Sequence, residues 1–138
     1  MYKIMLKNEV IIQFSIQGFN IDPSKITNFL ELQPSKIWIK GEPKIKQSSL
    51  KYKNNGWEIV FKKNNICHID SFLEEMIIKL SAKKRQLISM NNVEKKISII
   101  VYSMNLMPSF IYNNEVIAFL HETNITLEHD IYCIHSPP

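Results

Sequence analysis

The chain alternates stretches of period-two hydrophobicity with stretches at helical spacing. From Glu9 to Gly18, Ile12, Phe14 and Ile16 alternate with Gln13, Ser15 and Gln17. One buried and one wet face is the mark of a strand, and Gly18 ends it. Asp22-Pro23 marks a helix start: aspartate accepts from the free first-turn amides, and proline fits the first helical position. Ile26, Phe29 and Leu30 follow at helical spacing, and the helix stops before Pro34. A helix this short depends on packing.

Ser35 to Asn55 is rich in lysine. Ile37 and Ile39 share one face of a short strand, with Trp38 on the other. Gly41, Pro43 and Ser48-Ser49 read as turns. Asn54-Asn55-Gly56 leads into a second main strand, Trp57 to Lys62, in which Trp57, Ile59 and Phe61 alternate with Glu58, Val60 and Lys62. Ile69, Phe72, Leu73, Met76, Ile77 and Leu80 then form a helical stripe. Ser71 with Glu74 fits a capping box, with Asp70 as an alternative cap. Lys79, Lys83, Lys84 and Arg85 fall in the later turns, where cations complement the helix dipole. Lys96 to Ser103 is a third main strand, and Ile100 on its second face predicts a central, doubly covered position. Asn113 or Asn114 caps a third helix carrying Val116, Ile117 and Leu120. Asn124 suits a left-handed position after it. Ile125 to Ile134 is the last strand, with Ile125, Leu127, His129, Ile131 and Cys133 on one face.

These elements predict an α+β domain spanning 1–138, with a mostly antiparallel sheet of four to six strands. About three helices pack on one face, in a layout akin to the ferredoxin-like split β-α-β arrangement. Ile12 to Leu32 and Ser98 to Glu122 share a strand–loop–helix pattern and suggest a structural pseudo-repeat.

Composition changes this picture little. Of 138 residues, 45% are apolar and 22% charged, and the net charge is +4, which excludes a disordered tail or a disulfide-stapled miniprotein. Arg85 is the single arginine. The Ile, Lys and Asn bias fits an AT-rich bacterial genome, so lysine enrichment need not signal selected charge. No apolar run reaches the ~20 residues that span a bilayer. The start, Met1 to Lys7, resembles a signal peptide, but Lys7, Asn8 and Glu9 interrupt it. Two widely spaced cysteines, Cys67 and Cys133, predict free thiols and a cytosolic protein.

Candidate chemistry is sparse. His129, Cys133 and His135 share a strand face, but residues four apart on a strand lie ~13 Å apart, too far for one metal ion. Cys133 with His135 could share a metal, with Cys67-His68 completing it; a buried cysteine beside a terminal histidine is the simpler reading. No Gly-x-Ser-x-Gly elbow occurs, and Gly18, Gly41 and Gly56 are too separated for a phosphate loop. Cys67 precedes a helix whose N-terminus could activate a thiol, though adjacency to His68 is not geometry. Glu74-Glu75 reads as a solvated helix surface. No cofactor is expected. Between Lys36 and Lys63, lysines interleave with Trp38, Tyr52, Trp57 and Phe61, a pattern that would suit single-stranded nucleic acid. The absence of arginine and the core-type positions of Trp57 and Phe61 weigh against it.

The residues also form a recognisable set. Phe14-x-Ile16-x-Gly18, Asp22-Pro23-x-x-Ile26-Thr27, then Leu30, Leu32 and Pro34, and Trp38-x-Lys40-Gly41-Glu42 resemble the bacterial domain of unknown function 4279 family. Gly56-Trp57 and Asp130-x-Tyr132 fit the same pattern. The resemblance spans roughly 10–133 and departs at Glu31, where that family usually has glycine. It implies a small bacterial domain without an established activity, of a type that often serves as an immunity partner in toxin systems. The resulting expectation is a non-enzymatic, cytosolic protein-binding module that neutralises a toxin bearing an acidic patch. A nucleic-acid-binding module using 36–63 is the alternative. The candidate contact residues are Trp38, Lys40, Glu42 and Lys44, with Asp130 and Tyr132 on the last strand. Trp38 is expected as an exposed interface anchor; otherwise Trp38 and Gly41 shape a turn over the sheet.

Overall fold

The computed structural model describes residues 5–46 and 49–134. The first residues of the leader-like start, Ser48 and His135 lie outside them. Five strands form one sheet: β1 (Asn8–Gly18), β2 (Lys36–Trp38), β3 (Asn55–Asn64), β4 (Glu94–Ser103) and β5 (Ile125–Cys133). Four helices accompany them: α1 (Pro23–Leu30), α2 (Ile69–Ser81), α3 (Lys84–Ser89) and α4 (Asn114–Thr123). The sheet order is β2-β3-β1-β4-β5. The pairings β2–β3, β3–β1 and β1–β4 are antiparallel, and β4–β5 is parallel. Up to β4 this is the ferredoxin-like order, with α4 and β5 added at the β4 edge. The fold is the expected mixed α+β, mostly antiparallel. Both segments suspected as a repeat open β-α-β units. β3 is inserted between β1 and β2, whereas β4 and β5 are adjacent.

One face of the sheet carries the helices and the core. Val10, Ile12, Phe14 and Ile16 of β1 are fully buried there, with Trp57, Ile97, Ile99 and Val101. Trp57 Nε1 donates to Thr27 Oγ1 at 3.0 Å, which seats α1 on β3. Trp57 also packs edge-on to Phe14 at 6.3 Å. Lys95 is buried, and its Nζ donates to the Leu87 carbonyl at 2.6 Å, tying α3 to β4. Burial pushes the Lys95 ammonium below its ordinary pKa.

Local signals placed several elements well. Asp22 Oδ1 caps α1 by accepting from Ser24 N at 3.0 Å, with Pro23 inside the first turn. Asn113 caps α4 through Val116 N, and Asn124 closes it at φ 56°.

Other readings are corrected. The cap of α2 is His68, without a side-chain cap bond, rather than Ser71 or Asp70. Ile69 N, the first helical amide, already donates to the Ser109 carbonyl at 3.0 Å. The lysines after Lys79 do not extend α2, because a turn at Ala82–Lys83 starts α3, which inserts Leu87 into the core. Ile100 sits on an inner strand but is not doubly covered: it lies on the helix-free face and is partly exposed. Phe29 and Ile117 are exposed; Leu120 is buried as expected, and Phe119 and Thr123 share the buried face of α4 with it. Cys133 is exposed, not buried.

Candidate functional site

The residues singled out in the sequence fall in two groups. Trp38, Lys40, Glu42 and Lys44 lie at the β2 edge, and Asp130 and Tyr132 lie on β5 at the other edge. Four strand spacings separate the edges, roughly 19 Å. Register puts Trp38 and the even-numbered residues of β5 on the same helix-free face. The structure therefore gives them one face but no common site.

The first group is built around a ring over a glycine. Trp38 pairs with Gly56 across β2–β3. A side chain on Gly56 would collide with the indole, since an ideal Cβ there falls on its Cε2–Cζ2 edge and lies 2.5 Å from Nε1. Tyr52 stacks on the outer face of the indole, at 5.0 Å and 20°. Trp38 is thus only 5% exposed. This corrects its expected role as an exposed anchor: Gly56 below and Tyr52 above enclose the ring. The buried Nε1 finds no hydrogen-bond partner among the described residues.

The segment after β2 folds back on this platform. Gly41 N donates to the Tyr52 carbonyl at 2.9 Å, and Tyr52 N donates to the Glu42 carbonyl at 2.9 Å. Gly41 has φ 93°, a conformation that side chains with a Cβ rarely adopt. Asn55 clamps the base: its Oδ1 accepts from Lys40 N at 2.7 Å and its Nδ2 donates to the Ile21 carbonyl at 2.9 Å. Asn54-Asn55-Gly56 reads locally as a turn, and the second role of Asn55 arises only in the tertiary arrangement.

This edge gathers exposed cations. Lys36, Lys40, Lys44, Lys46, Lys51 and Lys53 are all exposed, and none forms an ion pair among the described residues. Farther along the run and beyond it, Lys62, Lys63, Lys83, Lys84 and Lys96 each pair with a glutamate. The Nζ atoms of Lys36 and Lys44 lie 5.4 and 5.8 Å from the Tyr52 ring centroid, and Lys40 lies 5.9 Å from that of Phe19. Aromatic faces hold these ammonium groups, and Lys36 also lies near the buried carboxyl of Glu58.

The helix-free face itself is mixed in charge. Glu58 is buried on it, and Gln13 Nε2 donates to Glu58 Oε2 at 2.6 Å. Burial raises the Glu58 pKa, with the Gln13 bond and nearby Lys36 opposing. Ser15 and Ser98 are sunk between longer neighbours. Lys96 pairs with Glu128 at 3.0 Å and Lys62 with Glu9 at 3.4 Å. Asp130 forms no ion pair among the described residues, and Tyr132 stacks on Tyr102 at 5.2 Å. The burial of Glu58 was hidden in the sequence: alternation places it on the wet face, and only the neighbours supplied by register enclose it.

The residues weighed for metal or nucleophilic chemistry do not converge. His129 contacts Tyr112 through Nε2 and Oη, with Phe110 edge-on at 5.4 Å. Burial pushes the Tyr112 hydroxyl up to about 12. His68 Nδ1 bonds Ser109 Oγ at 2.8 Å. Among the described residues no group of three or more His, Cys, Asp or Glu is placed to hold a metal ion. No described helix is long and apolar enough to cross a membrane.

The motif residues have visible architectural tasks. Phe14 and Ile16 fill the core, Asp22 and Pro23 start α1, Thr27 holds Trp57, and Gly56 makes room for Trp38. Glu31, where glycine was expected, is the left-handed C-cap of α1 at φ 54°. No curated protein and no solved structure matches the chain. The family model described as Domain of unknown function (DUF4279) matches residues 8–134, and on that nearly complete match the chain belongs to this family.

Proposed function

We propose that the protein is a non-enzymatic protein-binding module of the bacterial cytosol, of the immunity type that silences a toxin by covering its surface. The observation that carries this reading is the cluster of six lysines on β2 and the loop after it, braced on Trp38 and Tyr52 and without ion pairs among the described residues. Unneutralised cations on a braced segment favour an acidic partner patch and speed its encounter. Lys40, Lys44 and Lys53 supply the charge, and Trp38 acts from below as a positioning residue. The free exposed thiols Cys67 and Cys133 fit a reducing compartment.

Nucleic acid is the less favoured partner. Base stacking needs an open aromatic face. Trp38 is enclosed, and Tyr52 is engaged by Trp38 and two ammonium groups.

The test is co-purification with a toxin domain encoded beside the gene, followed by affinity measurement across salt concentrations. Binding that weakens with salt, falls in a Lys40→Glu/Lys44→Glu/Lys53→Glu variant and accompanies protection of toxin-expressing cells supports the reading. Absence of binding and protection overturns it, as does tighter binding to oligonucleotides.

A further inference from the structure

A second surface of opposite charge lies on the helical side. α2 and α4 leave a groove of about 280 Å³ between them. Its floor is apolar, formed by Leu73 and Ile77 from α2 and Phe119 from α4. Ile78 and Ile111 form its walls and remain 64% and 61% exposed. Exposed aliphatic side chains contiguous with an apolar floor and rimmed by polar residues are the pattern of an interaction surface.

The groove's polar rim has one sign. Asp70, Glu74 and Glu115 line it, and no lysine or arginine does, in a chain of net charge +4. None of these acids has an ion pair among the described residues, whereas Glu9, Glu31, Glu75, Glu122 and Glu128 each have one. Asp70 and Glu115 sit in first helical turns, where the helix dipole favours a negative charge. Glu74 lies beyond the first turn of α2, so the dipole does not account for it. Glu75 next to it is paired with Lys63, but Glu74 points its free charge at the groove.

We infer that this groove receives an amphipathic segment of a protein partner, with aliphatic anchors flanked by lysine or arginine. The aliphatic side chains would fill the floor between α2 and α4, as in other helix-in-groove complexes. The flanking cations would meet Glu74, Glu115 and Asp70. This site is separate from the lysine loop and binds the opposite charge, so either can fail without the other.

The experiment uses the full chain and three synthetic helical peptides. One carries leucines on one face with flanking lysines; a second has glutamates for the lysines; a third has serines for the leucines. Binding is followed by fluorescence anisotropy and by amide and methyl chemical shifts. The expected result is binding of the first peptide about tenfold or more tighter than either control, about 1.4 kcal/mol. Its shifts should centre on Ile77, Ile78, Val116 and Phe119. Glu74→Lys/Glu115→Lys and Ile78→Ser, all at exposed positions, should each weaken it with an unchanged circular dichroism spectrum. Equal binding of the glutamate peptide overturns the inference. So do shifts centred on the lysine loop, or concentration-dependent self-association that occupies the groove with a second copy.

Discussion

Gly56→Ala isolates one contact with a sign that local preference alone would reverse. Alanine in a strand interior ordinarily gains about 0.5–1 kcal/mol over glycine, because glycine loses more backbone freedom on folding. Here the new Cβ falls on the Trp38 ring, so the indole must leave its place between Gly56 and Tyr52. A tryptophan buries roughly 150–250 Å², which at about 25 cal/mol per Å² corresponds to about 4–6 kcal/mol. The displaced ring regains part of that contact elsewhere on the sheet, and the alanine adds its own preference. The expected net loss is about 2–4 kcal/mol. Urea unfolding followed by far-ultraviolet circular dichroism measures it, with Trp38→Ala and the double variant completing a cycle. In the Trp38→Ala background, Gly56→Ala should be neutral or stabilising, giving a coupling energy of about 2–5 kcal/mol. An undiminished cost in that background would refute the ring-over-glycine account, as would a Gly56→Ala protein as stable as the parent.

Three further outcomes follow from single positions. Glu31→Gly should stabilise by about 0.5–1 kcal/mol in the same unfolding assay: it relieves a left-handed residue and loses only a 3.6 Å pair between the exposed Glu31 carboxylate and the partly covered Lys83, and a destabilised variant would contradict this. Glu58 has a folded pKa above its unfolded value, so the folded state holds its proton more tightly. Its contribution is full below the ordinary carboxylate pKa and is lost as pH rises through the folded value. Glu58→Gln should therefore remove that loss and be at least as stable as the parent at pH 7, read from Tm across pH. Tyr112, raised to about 12 by burial, should give a late phase in an ultraviolet titration, well above the ordinary tyrosine range near about 10, and a Tyr112→Phe variant should lack that phase.

Much of the fold was legible because its signals are local. The alternation of Ile12, Phe14 and Ile16, the Asp22-Pro23 start and the Asn113 and Asn124 caps depend on a few adjacent residues. What could not be read depends on partners distant in sequence. The cap of α2 is replaced by the carbonyl of Ser109, forty residues on. No glycine or proline marks the turn between α2 and α3, which follows the packing of Leu87. The placement of the helices on one face was expected from the apolar stripes, but nothing local to either strand marks the parallel pairing of β5 with β4. The candidate site divides the same way. The lysine run is visible as composition, but its lack of ion pairs is visible only in the structure, where Lys62, Lys63 and Lys96 have found glutamates and the six at the β2 edge have not. Trp38 read as an anchor because the sequence cannot place Tyr52 over it.

The central claim is that the lysine loop contacts an acidic protein partner. Its most direct test is the affinity of the co-purified toxin domain for the parent chain and for the Lys40→Glu/Lys44→Glu/Lys53→Glu variant, with circular dichroism as the folding control. The account predicts at least about a tenfold loss of affinity and a shallower salt dependence in a variant that remains folded. Equal affinity and equal salt dependence in the two proteins would contradict it.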